Sequence, residues 1–392
     1  MSPSPAPSPP SPAPSLSPAP SPRRRATALA VTLLLAAAAG ACTSSDDGAG
    51  GDSDDVPAGC TPSDIPTPTP TAADGTGGRD LIVEGDPWSG YAPFRDPTLL
   101  DGAASPYRLH YVEQLCQDVR AADVSQGRAH FMLTTLDQYL LTNPAGTIVG
   151  VVDQSRGADA LVLDTVTYPY LQSVDDLRRL VAEVTADGQG RPVLAYTGSS
   201  PSEMLLNELG NTVEELHLSD FDLVPVDQSA TALDMLRSGE AQVAVVWEPD
   251  TSAARDLGYT VALSSEDVPD SIVDVIVASD ELIDTDPEAV QVVVSAFYRA
   301  MDGYLADRAA LEALIAEDGG LDADQARSVI DGIKLYGSAE ADAFMNENVF
   351  PLDLPRVERS IDGIGALLAL LHPSVRPDEA KVDGRFVQEV TR

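Results

Sequence analysis

Lysine is almost missing from this chain of 392 residues: only Lys334 and Lys381 carry it, and the remaining positive charge is arginine. Lys and Arg together number 24 against 62 Asp and Glu, leaving a formal charge of −38. The first 41 residues hold Arg23, Arg24 and Arg25 and no acid, so the rest of the chain is more acidic still. Such a surface repels nucleic acid and anionic lipid, and no basic tract is present to track a phosphate backbone. Histidine is scarce: His110, His130, His217 and His372 stand apart without metal-ligand spacing, and Cys42, Cys60 and Cys116 form no CxxC pair. No metal or other cofactor is therefore expected. Neither a G-x-S-x-G elbow nor a Walker or dinucleotide glycine pattern occurs, which removes support for hydrolase, ATPase and oxidoreductase readings.

Long apolar runs are also lacking, with one exception. Residues 26 to 41 are uninterrupted by charge, preceded by three arginines and followed by Ala39-Gly40-Ala41-Cys42. The run is short for a membrane span, which needs roughly 20 apolar residues, and has the layout of a signal peptide. The last four residues resemble a bacterial lipobox, in which Cys42 becomes the acylated mature N-terminus; an ordinary secretory signal with an incidental cysteine is the alternative. Acyl chains contribute about 0.8 kcal/mol per buried CH2, so two or three hold a protein on the outer face of a membrane. The Pro/Ser/Ala-rich stretch before Arg23 fits either an extended leader or a start codon further along. Cys60 and Cys116 then remain as an even pair in an oxidising compartment, where a disulfide is expected and free thiols are the alternative. Closing a loop of that size is worth about 4 kcal/mol in the chain-entropy model.

From Thr43 to Gly78 the composition is Asp, Gly, Ser, Pro and Thr with little to bury, and a disordered tether over 42–78 is expected, spanning about 30 to 35 Å as a flexible coil. Beyond it, short apolar runs suited to strands fall at 80–84, 108–112, 130–134, 147–152, 192–196, 222–226, 242–246 and 272–278. Helical spacing marks 116–127, 174–186, 202–209 and 230–239, where Gly239 suits a helix stop. After Asp286 the pattern is helical to the end. This alternation predicts an α/β protein with two parallel-sheet lobes and a helical C-terminal third.

Six blocks in order resemble the nitrate/sulfonate/taurine-type solute-binding proteins of ABC importers, among which are binders of thiamine-pyrimidine precursors. They are Trp88-Ser-Gly-Tyr-Ala-Pro-Phe94, His130-Phe-Met-Leu-Thr-Thr-Leu-Asp137, Ile148 to Val162, Tyr196-Thr-Gly-Ser-Ser-Pro-Ser-Glu203, Ala244-Val-Val-Trp-Glu-Pro249 and Ile272-Val-Asp-Val-Ile-Val-Ala278. The resemblance implies the type II periplasmic-binding-protein fold, with two lobes and a ligand cleft between them. Lobe 1 would be 79–165 and 262–392, and lobe 2 would be 166–261. It also implies no catalysis, a small anionic or zwitterionic ligand, hinge closure, a monomer outside the cell, and a membrane permease as partner. A sensory or structural lipoprotein and a chorismate-dehydrating enzyme of the same fold are the alternatives. The sequence departs from the family near its start, where 95–106 is too short and too rich in Pro and Gly for the usual full helix.

In open α/β sheets ligands sit beyond the carboxyl ends of strands, so site candidates lie just after them. Trp88 and Tyr91 could wall a pocket or merely cap the core, and Gly90 between them would let backbone approach a ligand. Thr134 and Thr135 offer hydroxyls or a helix cap. Thr197, Ser199, Ser200 and Ser202 follow a strand and open a helix. With Ser200 as N-cap and Pro201 at the first helical position, free N–H groups would cradle an anion. Asp153, Glu248 and Asp274 could accept an amine, or serve the hinge or pair with Arg156 and Arg255. Trp247 could pack across the cleft or anchor lobe 2.

Overall fold

The computed structural model describes residues 78–392 together with Ile65, apart from 97, 101–104, 187, 189, 199, 214, 269, 370 and 371. Cys42 and Cys60, and with them the lipobox and tether, lie outside the described residues; Cys116 is disulfide-bonded.

Two sheets carry the fold. The first combines β1 (Arg79–Gly85), β2 (Tyr107–Glu113), β3 (Phe131–Thr135), β4 (Gly146–Ser155), β10 (Val273–Ser279) and β11 (Ile333–Leu335) in the order β11-β4-β10-β3-β1-β2. The second combines β5 (Ala160–Leu163), β6 (Val193–Thr197), β7 (Asp222–Val226), β8 (Val243–Val246) and β9 (Thr260–Ser264) in the order β7-β6-β8-β5-β9. The inner strands of both sheets are buried on each face and so are mostly apolar, as in Val273 to Ser279, which is wholly buried.

The expectation of parallel sheets is corrected in each sheet. β10 runs antiparallel to both β3 and β4, and β5 runs antiparallel to both β8 and β9. The reason lies in how the chain crosses. β4 leads directly into β5 in the other sheet and β9 returns directly to β10, so the crossing strands enter their sheets without the helical connection a parallel neighbour requires. The expected lobe limits move accordingly: Ala160–Leu163 and the end of β9 belong to the five-stranded sheet, not to the lobe of residues 79–165 and 262–392.

The two crossing segments are tied together. Ser155 Oγ donates to Asp159 Oδ2 at 2.5 Å and lies 2.7 Å from Ser265 Oγ, which accepts from Gly157 N at 2.7 Å; Ser265 N donates to Asp159 O at 2.9 Å. Gly332 O accepts from Arg156 N and Ala158 N, and a Cβ at Gly332 would sit 3.2 Å from Ala158 backbone.

The six-stranded sheet buries Leu81, Leu133, Val149 and Ile276 against helix Pro287–Ala306, whose Val290, Val293, Val294, Phe297 and Met301 share one stripe. That helix starts as sequence rules dictate: Asp286 accepts from Ala289 N at 3.2 Å and Pro287 is the first helical residue. Gly239 ends helix Ser229–Ser238 at φ 78°, as its position suggested.

Candidate functional site

The loop after β1 replaces the full helix that the family resemblance led one to expect. Among the described residues, a single 3-10 turn, Ser89–Tyr91, and one turn of α-helix, Ala92–Arg95, follow. Side chains from elsewhere hold the loop. Arg120, fully buried, donates to Asp86 Oδ2 at 3.0 Å and to Leu133 O. Asp86 in turn accepts from Trp88 N at 2.9 Å. Arg95 donates to Asp86 O at 3.0 Å and to Trp88 O at 2.8 Å while paired with Asp318, and Tyr111 Oη donates to Asp86 O at 2.5 Å.

This loop hangs over a row of three residues. In the register of β3, β10 and β4, Asp274 stands opposite Thr135 on one side and Asp153 on the other. A bulge sets the row: Asp274 pairs with Asp153 but the next residue, Val275, pairs with Val151, and the Tyr298 hydroxyl fills the kink by bonding both Val151 N at 2.9 Å and Val151 O at 2.8 Å. Trp88 Nε1 donates to Asp153 Oδ2 at 3.0 Å, and Tyr91 Oη donates to Asp274 Oδ1. Gly90 makes the contact possible, because a Cβ there would fall 1.8 Å from Asp153 Oδ2 and 2.7 Å from Trp88 Nε1. Gly90 therefore brings backbone close to a carboxylate of the protein itself.

Asp153 and Asp274 are 0% and 3% exposed. Burial pushes Asp153 up to about 7 and, with the Asp153 charge beside it, Asp274 well above the ordinary range. Two adjacent carboxyls in low dielectric cannot both ionise cheaply, so the pair holds a proton near neutrality. Burial and then Asp274 also push the Tyr91 hydroxyl up, keeping it a donor. Further acids surround the pair. Asp159 at the crossing is pushed by burial up to about 7, and Asp137, at the start of helix Leu136–Thr142, is raised by burial against the Thr135 hydroxyl and Gln138 amide. Asp153 Oδ1 and Asp137 Oδ1 accept no hydrogen bond of good geometry among the described residues, nor does Thr135 Oγ1 take part in one.

The five-stranded half contributes Thr197 and helix Ser202–Thr212. Met204, one turn into that helix, packs against the core of the six-stranded half, so the helix start lies against it. The expected anion cradle is corrected here. Ser202 N donates to Ser200 Oγ at 3.2 Å, Glu203 N to Ser200 O and Met204 N to Pro201 O, so these first amides are already used. Pro201 occupies the N-cap position instead of the first helical one, and Ser200 Oγ donates to Thr197 O at 2.7 Å. What the segment offers is two buried hydroxyls, Thr197 Oγ1 and Ser202 Oγ, without a partner among the described residues. Ser199 lies outside the described residues.

The structure thus joins Trp88, Tyr91, Thr135, Asp153 and Asp274 in one network. Thr134 is directed elsewhere, donating to Gln117 Oε1 at 2.8 Å. Glu248 takes its structural role: it accepts from Ser252 N at 3.1 Å and Ser252 Oγ at 2.9 Å and lies 3.4 Å from Arg255, while Arg156 reaches Gln154 rather than Asp153. Trp247 is fixed through its backbone N–H on Ser229 Oγ at 3.1 Å. Asp86, Arg120, Asp137 and Asp159 escaped the sequence reading. An Asp one residue past a strand and an Asp at a helix start were visible signals, whereas nothing local marks Arg120 as buried.

No protein-family model matches the chain, and no curated protein matches it in sequence. Solved structures do match in shape. The alkanesulfonate-binding protein SsuA from Xanthomonas axonopodis pv. citri, bound to MOPS, superposes with a TM-score of 0.59 at 15% identity, over 78% of this chain and 98% of that one. The periplasmic nitrate-binding protein NrtA from Synechocystis PCC 6803 gives 0.60 at 11% identity, over 84% and 89%. The desulfurization enzyme DSZB gives 0.52 at 16% identity, over 80% and 98%. The chain has the α/β fold of the periplasmic solute-binding proteins. Within that class its shape is similar to that of sulfonate- and nitrate-binding components.

Proposed function

We propose that this protein is an extracytoplasmic solute-binding lipoprotein of an ABC importer, anchored through Cys42 and delivering a small zwitterion to a membrane permease. The observation that carries the ligand class is the cross-strand row Thr135, Asp274, Asp153 beneath Trp88, with Asp153 Oδ1 buried and bonded to no N–H among the described residues. A buried acceptor calls for an N–H donor, and an ammonium group beside the pair would draw off its proton and neutralise the charge. The Thr197 and Ser202 hydroxyls suit the anionic end of the same ligand. That favours an aminosulfonate such as taurine over nitrate, since among the described residues no unpaired basic side chain hydrogen-bonds Asp153. An aminopyrimidine is the second reading, favoured by the half-buried Trp88 ring bonded to the same carboxylate. Closure would turn on the tied segments 155–160 and 264–272. The monomer would work as a receptor without turnover.

A thermal-shift panel tests this. A ligand at 100 times its Kd adds about 2.7 kcal/mol. Taurine or an aminopyrimidine is expected to raise the midpoint, and Asp153→Asn to abolish that shift; equal shifts from ethanesulfonate or nitrate overturn the zwitterion reading. Cys42→Ser is expected to move the protein from the membrane fraction to the medium.

A further inference from the structure

A cavity of about 310 Å³ lies between helix Ser202–Thr212 of the five-stranded half and helix Arg356–Leu368 of the other, bordered at one side by Val268, Asp270 and Ser271 of the returning crossover. Its walls carry opposite charges that do not meet. Arg359, on the long C-terminal helix, makes no ion pair among the described residues. Glu208, on the facing helix, accepts among the described residues only from the Thr212 hydroxyl at 3.2 Å. The other charged lining is already neutral, because Arg356 pairs with Asp270 at 2.7 Å and Asp270 also accepts from Gln154 at 2.6 Å. Between these groups the wall is apolar, formed by Met204, Val268, Ile364 and Leu367.

A second observation points to a kept space. Helix Arg356–Leu368 contains two glycines, and glycine is disfavoured in a helix interior relative to alanine. Gly365 has a packing reason, since a Cβ would fall 2.1 Å from the Pro377 ring. Gly363 has none: it is exposed to solvent where it lines the cavity, and a Cβ there meets nothing within 4 Å. Its missing side chain leaves the cavity wider at a cost in helix propensity.

We propose that this cavity is a second binding site, for an α-amino acid with an apolar side chain of leucine or phenylalanine size. The carboxylate pairs with Arg359, the ammonium with Glu208, and the side chain lies on Met204, Val268, Ile364 and Leu367. An unpaired cation facing an unpaired anion selects a zwitterion over either single charge. The volume sits at the small end of ligand pockets, which run from about 300 to 1,000 Å³. Because the walls belong to both halves, occupancy also favours the arrangement in which they stand together. The inference needs no part of the transport reading.

Calorimetric titration of the purified protein with leucine, isoamylamine and isovalerate tests it. Leucine is expected to bind at least about tenfold more tightly than either analogue, as a charge-assisted contact warrants. Arg359→Ala should bring leucine down to isoamylamine, and Glu208→Gln should bring it down to isovalerate. Gly363→Leu should abolish binding with the unfolding midpoint unchanged or raised, which separates a filled cavity from a failed fold. Asp153→Asn should leave leucine binding intact. The proposal is overturned if neither leucine nor phenylalanine binds, if the analogues bind equally well, if Gly363→Leu binds as wild type, or if Asp153→Asn alone removes binding, which would put the amino acid at the strand ends.

Discussion

The two loops that border the strand ends solve the same problem in opposite ways. Between Asp86 and Arg95 the chain is short of helix, and its conformation is fixed by side chains from remote positions: Arg120, Tyr111, Asp153 and Asp318. Between Thr197 and Ser202 the chain fixes itself, through Ser200 and the backbone of the turn. The first loop therefore places charge where nothing local would put it. The second is self-contained and leaves only two hydroxyls for chemistry. A sequence motif that satisfies itself is easy to read and has little left to offer a ligand; a site assembled from distant strands is harder to read and holds the reactive groups.

The difference can be broken or sharpened by substitution. The largest effect is expected at Arg120. Arg120→Met leaves Asp86 without its buried partner and unties the first loop, and removing one member of a buried pair costs about 3 kcal/mol or more. Asp86 is partly exposed, with 28% of its side chain accessible, so the lower end of that range is expected in urea unfolding. Next comes Gly90→Ala, whose Cβ would collide with the Asp153 carboxylate; overpacking of this kind costs about 2 kcal/mol. Gly198→Ala is its counterpart in the second loop, where the nearest atom to a new Cβ is Pro225 Cβ at 3.2 Å, and a loss below about 1 kcal/mol is expected. Equal losses from the two substitutions would dissolve the contrast.

A pH series gives an effect with a fixed sign. Burial raises Asp153 from the ordinary 3.8 to about 7, so between those values the native state keeps a proton that the unfolded chain has released. Stability from this group is then greatest below about pH 4, falls as pH rises to about 7, and is level beyond. Asp153→Asn removes that fall, so the variant should gain on wild type across the window; a constant difference from pH 4 to 8 would contradict the assignment. A small effect is also expected from Ser200→Ala, at about 1 kcal/mol for a lost cap-like contact, with ligand binding little changed.

Most of the architecture was legible. Eight apolar runs became strands within a residue or two of their expected bounds, except that β4 continues to Ser155, and the helical C-terminal third is present with β11 and the short strands Asn348–Val349 and Leu354–Pro355 as interruptions. What was missed was short. β5, β9 and β11 have four, five and three residues, too few for a period to show, and β5 makes the five-stranded sheet mixed. Trp88, Tyr91 and Asp153 stood out because each follows an expected strand, and Asp274 because it is an acid where the family resemblance puts the cleft or hinge. Their mutual contacts did not, because Asp153 and Asp274 meet only through a register that the Tyr298 hydroxyl shifts by one residue. Arg120 looked like any helical arginine, and its burial follows from Leu133 and Asp86, which no spacing connects to it.

The central claim is that the Asp153–Asp274 pair is the floor on which a cationic group lands. It is tested most directly by titrating the strongest amine-bearing binder of the panel at pH 6.5 in buffers of different ionisation enthalpy. Binding of an ammonium group lowers the affinity of the pair for its proton, so release of a proton is predicted in the wild type and little or none in Asp153→Asn. Binding without proton exchange in the wild type, or equal release from both proteins, would contradict it.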